Sequence, residues 1–137
     1  QPGLHSGFMG AQVTATAILA EMRTKAIPAS IQSIPTNANN QDTVTMGTIA
    51  ARKCAELLDH LWDLLAIECL VLTQAFVLRC GFAPDYSPAK ESGFAPATAA
   101  LATRVRTLAS FLREDRPLAE DIRRVSEAIR EPDFITT

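Results

Sequence analysis

Residues 43 to 80 contain no proline, and that absence permits one helix far longer than a chain of 137 residues needs. The run predicts a helix from about Thr43 to Cys80, with Gly81 placed to end it. Its first half is amphipathic, with Arg52, Lys53, Glu56 and Asp59 on a wet face. Its second half, Leu61 to Leu78, is apolar almost all round. A helix of that kind is buried from most sides, and one small domain has too little material to surround it. The excess apolar surface is therefore expected to pack against other chains. A membrane span is the competing interpretation. Asp63, Glu68, Thr73 and Gln74 interrupt the run. Ionisable groups at mid-bilayer cost about 2.5–3.5 kcal/mol each on insertion scales, so the expectation is a bundle helix with no membrane.

The remaining elements also read as helices. From about Phe8 to Lys25, Met9, Val13, Ala17 and Ala20 recur at spacings of four and three and define one face. Ile27-Pro28 and Ile34-Pro35 force extended chain and leave residues 27 to 42 irregular. Connections that long are uncommon in compact domains and often functional. Residues 81 to 97, with Gly81, Pro84, Pro88, Gly93 and Pro96, read as a loop. A helix is predicted over Thr98 to Leu112, with Leu101, Val105, Leu108, Phe111 and Leu112 on one side. A last helix is predicted from Pro117, with Glu120 and Asp121 in its first turn and Leu118, Ile122, Val125 and Ile129 as its packing stripe. The fold class is all-α, a helical bundle around one very long central helix.

Composition excludes several functions. With 47% hydrophobic and 20% charged residues the chain is globular, and a net charge of −2 with interspersed signs argues against nucleic acid as a partner. No charged-then-apolar leader is visible, so a cytoplasmic location is expected. Cys54, Cys69 and Cys80 share one helical stretch at separations too long for a Cys-x-x-Cys site and are expected to be buried, reduced thiols. Glu56, His60 and Asp63 lie within helical reach of one another but lack a second histidine, so no metal is expected. Ser30 or Ser33 with His5 has no nucleophile-elbow context.

The polar chemistry concentrates in Ser33-Ile-Pro-Thr-Asn-Ala-Asn-Asn-Gln-Asp42, which sets four carboxamides and a carboxylate just ahead of the long helix. A helix start presents unpaired N–H groups and a positive dipole end, suited to an anion, and carboxamides both donate and accept. The same residues also suit an ordinary Asn-rich turn.

Gly3-Leu-His-Ser-Gly-Phe-Met-Gly-Ala-Gln12, Ala26-Ile-Pro-Ala-Ser30, the Ser33–Asp42 segment, Met46-Gly47, Ala50-Ala-Arg-Lys53 and Asp115-Arg-Pro-Leu118 occur in that order. In order and spacing the series resembles the aromatic amino acid ammonia-lyase family, which includes histidine, phenylalanine and tyrosine ammonia-lyases and the related aminomutases. The resemblance implies the L-aspartase/fumarase-like helical fold, an amino acid substrate and a homotetramer with a central helical bundle. It also implies an electrophilic ring, 4-methylidene-imidazol-5-one (MIO), formed from an internal Ala-Ser-Gly. No Ala-Ser-Gly occurs in this chain; the nearest strings are Ala29-Ser30-Ile31 and Glu91-Ser92-Gly93. The only tyrosine, Tyr86, lacks the context of the family's catalytic tyrosine. The chain starts Gln1-Pro2-Gly3 without an initiator methionine. The expectation is that residues 1–137 are the C-terminal helical domain of a longer lyase, completed by that parent's N-terminal part and inactive alone. Within it, 27–42 would be the site loop and 43–80 the bundle helix.

The family's site residues carry over one by one. Gln41 matches a position that is glutamate in histidine lyases and glutamine in phenylalanine and tyrosine enzymes. This favours an aromatic substrate, since a carboxylate better suits a cationic imidazole. Asn40 is similar to the family's partner for the cofactor ring or the substrate carboxylate, and with Gln41 it forms the expected catalytic pair. Asn37 stands where plant phenylalanine lyases carry a glutamate near the substrate amine. Met9 and Val13 match positions lining the substrate pocket. Lyase and aminomutase differ in whether released ammonia re-adds at the neighbouring carbon, and these residues leave that open.

Overall fold

The computed structural model describes residues 4–41, 43–80 and 95–136. Its elements are helix α1 (Met9–Lys25), a 3-10 turn (Ala29–Gln32), helix α2 (Gly47–Arg79), α3 (Pro96–Leu108), α4 (Ala119–Ala128) and the single turn α5 (Asp133–Thr136). The architecture is all-α. At 33 residues α2 is about 50 Å long, and it is the mast on which α1, α3 and α4 are hung.

All three helices run antiparallel to α2. Met9 lies in a groove with Leu64 and Leu72, whereas Lys25 at the other end of α1 reaches Glu56. In α4, Ser126 donates to Asp63 at 2.8 Å, and one turn on Arg130 pairs with Asp59 at 2.9 Å. In α3, Ala102 packs with Phe76 and Val77, and Val105 with Ala66 and Leu70. The core is therefore confined to the C-terminal half of α2, where Ala66, Ile67, Leu70, Thr73, Phe76 and Val77 repeat at intervals of one, three or four residues. Val105, Val125 and Ile129 close it from α3 and α4.

Several boundaries differ from the sequence reading for identifiable reasons. The helix expected from Thr43 begins at Gly47: the Val44 N–H is taken by the Ser33 hydroxyl, and Met46 is left-handed at φ 53°, which a continuous right-handed helix excludes. α3 starts two residues before Thr98, with Pro96 in its first turn, and ends at Leu108 instead of Leu112. There Gln74 intervenes. Its amide donates to the Leu112 carbonyl at 2.9 Å and accepts the Leu112 N–H at 3.0 Å, taking the N–H that a helix reaching Leu112 would direct to Leu108. α4 begins at Ala119, two residues past Pro117, with Glu120 and Asp121 in its first turn. Residues 27 to 42 carry more regularity than expected, with the 3-10 turn and a Thr36–Gln41 bridge. Gly81, Tyr86, Glu91-Ser92-Gly93 and most of the 81–97 loop lie outside the described residues, as does Asp42.

By length and composition α2 could cross a membrane. Two of the polar residues that interrupt its apolar half are instead matched within this chain, Asp63 by Ser126 and Gln74 by Leu112. Cys69 and Cys80 are half-buried, and burial pushes the Cys69 thiol above its ordinary value. Cys54 departs from the expectation of a buried thiol. It is exposed near the start of α2, ahead of the residues that α3 and α4 pack against.

Large apolar side chains remain on the surface: Leu58, Leu61, Val71, Leu72 and Leu78 along α2, with Met9, Val13 and Leu19 on α1. A surface of this kind favours association. The isolated chain is expected to sediment as oligomers or larger aggregates at micromolar concentration. A clean monomer at every concentration would contradict that use of the exposed faces.

Candidate functional site

The carboxamide segment folds into a small closed loop. Thr36 and Gln41 exchange backbone bonds, N–H of Thr36 to the carbonyl of Gln41 at 2.9 Å and the reverse at 3.3 Å. Between them the Asn40 N–H donates to the Asn37 carbonyl at 3.0 Å. Asn37, Ala38 and Asn39 are all left-handed, with φ of 52°, 52° and 66°. Each such residue costs an ordinary L side chain about 1–2 kcal/mol, less for asparagine, whose short polar group compensates locally. Two of the three are asparagine, which explains why this segment carries that residue type. Backbone strain of this sort persists only where the surroundings hold it, and it clusters at functional sites.

The loop presents Asn37, Asn39, Asn40 and Gln41 on the outside, all exposed. Gln41 Oε1 lies 3.4 Å from the Thr36 hydroxyl. The loop is tied down at its flanks. Ser33 Oγ accepts the Val44 N–H at 2.8 Å, Ala29 is buried, and Lys53 of α2 donates to the Ile27 carbonyl. Beyond it α2 starts without any side-chain cap, so its first N–H groups have no intrahelical or capping partner. Neutral donors and acceptors next to a positive helix end can hold a carboxylate.

Met9 and Val13 belong to a different place. Both are exposed, at 60% and 59%, and Met9 lines an apolar groove with Phe8, Leu64, Val71 and Leu72. The segment that leads into the loop is tied to α2 where Ile27 meets Lys53, eleven residues before Leu64, which is roughly 16 Å along a helix axis. The expected site residues thus fall into two groups. Asn37, Asn40 and Gln41 are together on the loop, and Met9 and Val13 are together on α1. A cavity of about 770 Å³ between α1 and α4 takes in neither group.

The weaker constellations separate. Glu56 and His60 both engage Lys25 of α1, at 3.2 Å each, while Asp63 turns to Ser126. The ammonium of Lys25 holds the Glu21 carboxyl below its usual range. Among the described residues no group of three or more His, Cys, Asp or Glu is arranged to hold a metal ion. The Ser33 hydroxyl is engaged with Val44. His5 stands near Asp115 at the start of α1, so the two do not form a nucleophile and base.

One contact was not legible as such in the sequence. Asp115 accepts N–H bonds from Ser6 at 2.6 Å and Gly7 at 2.9 Å, which hold its carboxyl below the ordinary range and clamp the turn that launches α1. The only signal for it is that Gly7, at φ 57°, and Asp115 fall in two of the family-like motifs.

Residues 1–107 match the family model described as aromatic amino acid lyase. The chain is 53% identical over 120 residues to a tyrosine ammonia-lyase of Cereibacter sphaeroides, covering 88% of this chain and 21% of that protein. It is 42% identical to a histidine ammonia-lyase of Natranaerobius thermophilus, covering 94% and 24%. It is also 42% identical to a MIO-dependent tyrosine 2,3-aminomutase of Streptomyces globisporus, covering 98% and 23%. A crystal structure of a tyrosine aminomutase from the same organism matches 99% of this chain and 24% of its own, at 43% identity and a TM-score of 0.84. The chain spans less than a quarter of the length of these relatives.

Proposed function

Because the chain belongs to the aromatic amino acid lyase family, we propose that it is the C-terminal helical part of a cytoplasmic carbon–nitrogen lyase that eliminates ammonia from tyrosine or phenylalanine to give an aryl acrylate. The observation that carries this reading is the closed, left-handed loop that gathers Asn37, Asn40 and Gln41 ahead of an uncapped helix.

The loop's chemistry suits the reaction. An amino acid brings a carboxylate, which carboxamide N–H groups and the α2 dipole can hold without a competing negative charge. Asn40 would serve the carboxylate or the carbonyl oxygen of the cofactor ring, and Asn37 the substrate amine. Gln41 is neutral and so offers nothing to favour a cationic imidazole, which supports a phenyl or phenol side chain over histidine. A MIO group would supply the electrophile that activates the amino nitrogen. The loop's neutral donors fit such a ring, but this chain has no Ala-Ser-Gly to form it. The ring would come from elsewhere in the full-length protein, and this chain alone would be inactive.

The two separated groups of site residues support an oligomer. Met9 and Val13 meet α2 well along from where the loop's flank is tied to it, and a second copy bringing its α1 to that loop would complete one pocket. A homotetramer with α2 at its centre would do this and would also cover the exposed leucines of α2.

The aminomutase is the second reading. It is favoured by the similarity to the tyrosine aminomutase structure over 99% of this chain, and it would use the same residues. An ultraviolet assay of the full-length protein with tyrosine, phenylalanine and histidine, combined with chromatography for β-amino acids, tests both. An acrylate from tyrosine or phenylalanine is the expected result, and a β-amino acid would shift the assignment to the aminomutase. An acrylate from histidine alone would overturn the substrate, and no product from any of the three would leave a non-catalytic oligomerisation module.

A further inference from the structure

We propose that Ser33 is a positioning residue for the carboxamide loop. By accepting the Val44 N–H, its hydroxyl sets the width of the loop's mouth and with it the placement of Gln41. The inference rests on the reading of that loop as part of the lyase site.

Ser33 lies three residues before Thr36, and Val44 three after Gln41, so the 2.8 Å contact sits outside the Thr36–Gln41 pair in the same antiparallel register. A side chain here makes the cross-link that a longer hairpin would make with its backbone. Outside the Thr36–Gln41 contacts and the Asn40–Asn37 bond at the tip, it is the one hydrogen bond joining the two arms among the described residues. The two arms are anchored differently. Ser33 ends the 3-10 turn, whose Ala29 is buried and whose Ser30 carbonyl accepts the Ser33 N–H at 3.2 Å. Val44 leads through left-handed Met46 into α2. The hydroxyl therefore joins a fixed turn to the mast, and the strained residues Asn37 to Asn39 are carried between them. Both Ser33 and Val44 are half-buried, so removing the hydroxyl leaves the Val44 N–H without an assured replacement. The Thr36–Gln41 pair then has to hold the left-handed turn unaided.

The test compares Ser33→Ala and Ser33→Thr in the full-length enzyme by steady-state kinetics and by hydrogen exchange of the peptide covering 36–46. Ser33→Ala is expected to lower kcat/KM by about fivefold or more and to speed exchange in that peptide by a similar factor, while Ser33→Thr, which keeps the hydroxyl, stays within about twofold. In a Gln41→Ala background the same Ser33→Ala change is expected to cost less than about twofold, because its effect passes through Gln41. Wild-type exchange or wild-type kcat/KM in Ser33→Ala would overturn the proposal, as would a full additional loss in the Gln41→Ala background. Failure of the underlying site reading is separately visible, as full activity in Gln41→Ala itself.

Discussion

Gln41→Glu in the full-length enzyme is expected to lower kcat/KM for tyrosine and phenylalanine by about tenfold or more, with far-ultraviolet circular dichroism unchanged. The substitution keeps size and shape but removes two N–H donors and adds a negative charge beside the place proposed for the substrate carboxylate. One unfavourable charge contact at effective protein dielectric is worth a few kcal/mol at about 4 Å, so tenfold is a modest demand. The loop itself should survive. Its closure at this position is made by the Gln41 backbone with Thr36, and the one side-chain contact, with the Thr36 hydroxyl, is one that a carboxylate can also accept. The same change should improve activity on histidine relative to tyrosine, because a carboxylate favours a cationic ring. Undiminished tyrosine activity would remove Gln41 from the site.

Gln74→Met is expected to destabilise the fold by about 2–4 kcal/mol. Gln74 and Met are close in length and volume, so the packing changes little. What is lost is a pair of hydrogen bonds to one residue, the Leu112 N–H and the Leu112 carbonyl, in a stretch where the Leu112 side chain is buried. Two backbone groups left unmatched in a partly buried place cost about 1–3 kcal/mol each. They also hold the extended connection between α3 and α4, so its loss should loosen the floor under Val105 and Ile129. Urea denaturation of the full-length protein measures this. A loss of unfolding free energy under about 0.5 kcal/mol would mean that water replaces the amide freely.

The mast was legible in the sequence because nothing in residues 43 to 80 could break a helix, and period and proline placement gave α1, α3 and the start of α4 to within a few residues, while the short α5 was not anticipated. The ends were not legible where a distant side chain decided them. α3 stops at Leu108, with Gln74 on another helix taking the Leu112 N–H, and α2 starts at Gly47 because Met46 is left-handed, just past the Val44 that Ser33 holds. Local propensity carries no record of either partner. The loop was legible as a polar place, since four carboxamides in so short a segment are conspicuous. Its left-handed path was not, because asparagine signals tolerance of positive φ and does not require it, and Ala38 signals the opposite. The separation of Met9 from Gln41 was also hidden. A four-residue spacing places Met9 and Val13 on one helix face but says nothing of which part of α2 that helix will meet.

The central claim is that the carboxamide loop of this chain faces the reacting amino acid, and the most direct measurement is a crystal structure of the full-length protein with the aryl acrylate product bound. The claim predicts the product's carboxylate or ring within hydrogen-bonding or van der Waals distance of Asn40 and Gln41 of one copy, beside Met9 and Val13 of another. A product bound elsewhere, with the Asn37–Gln41 loop open to solvent or buried in a subunit contact, would contradict it.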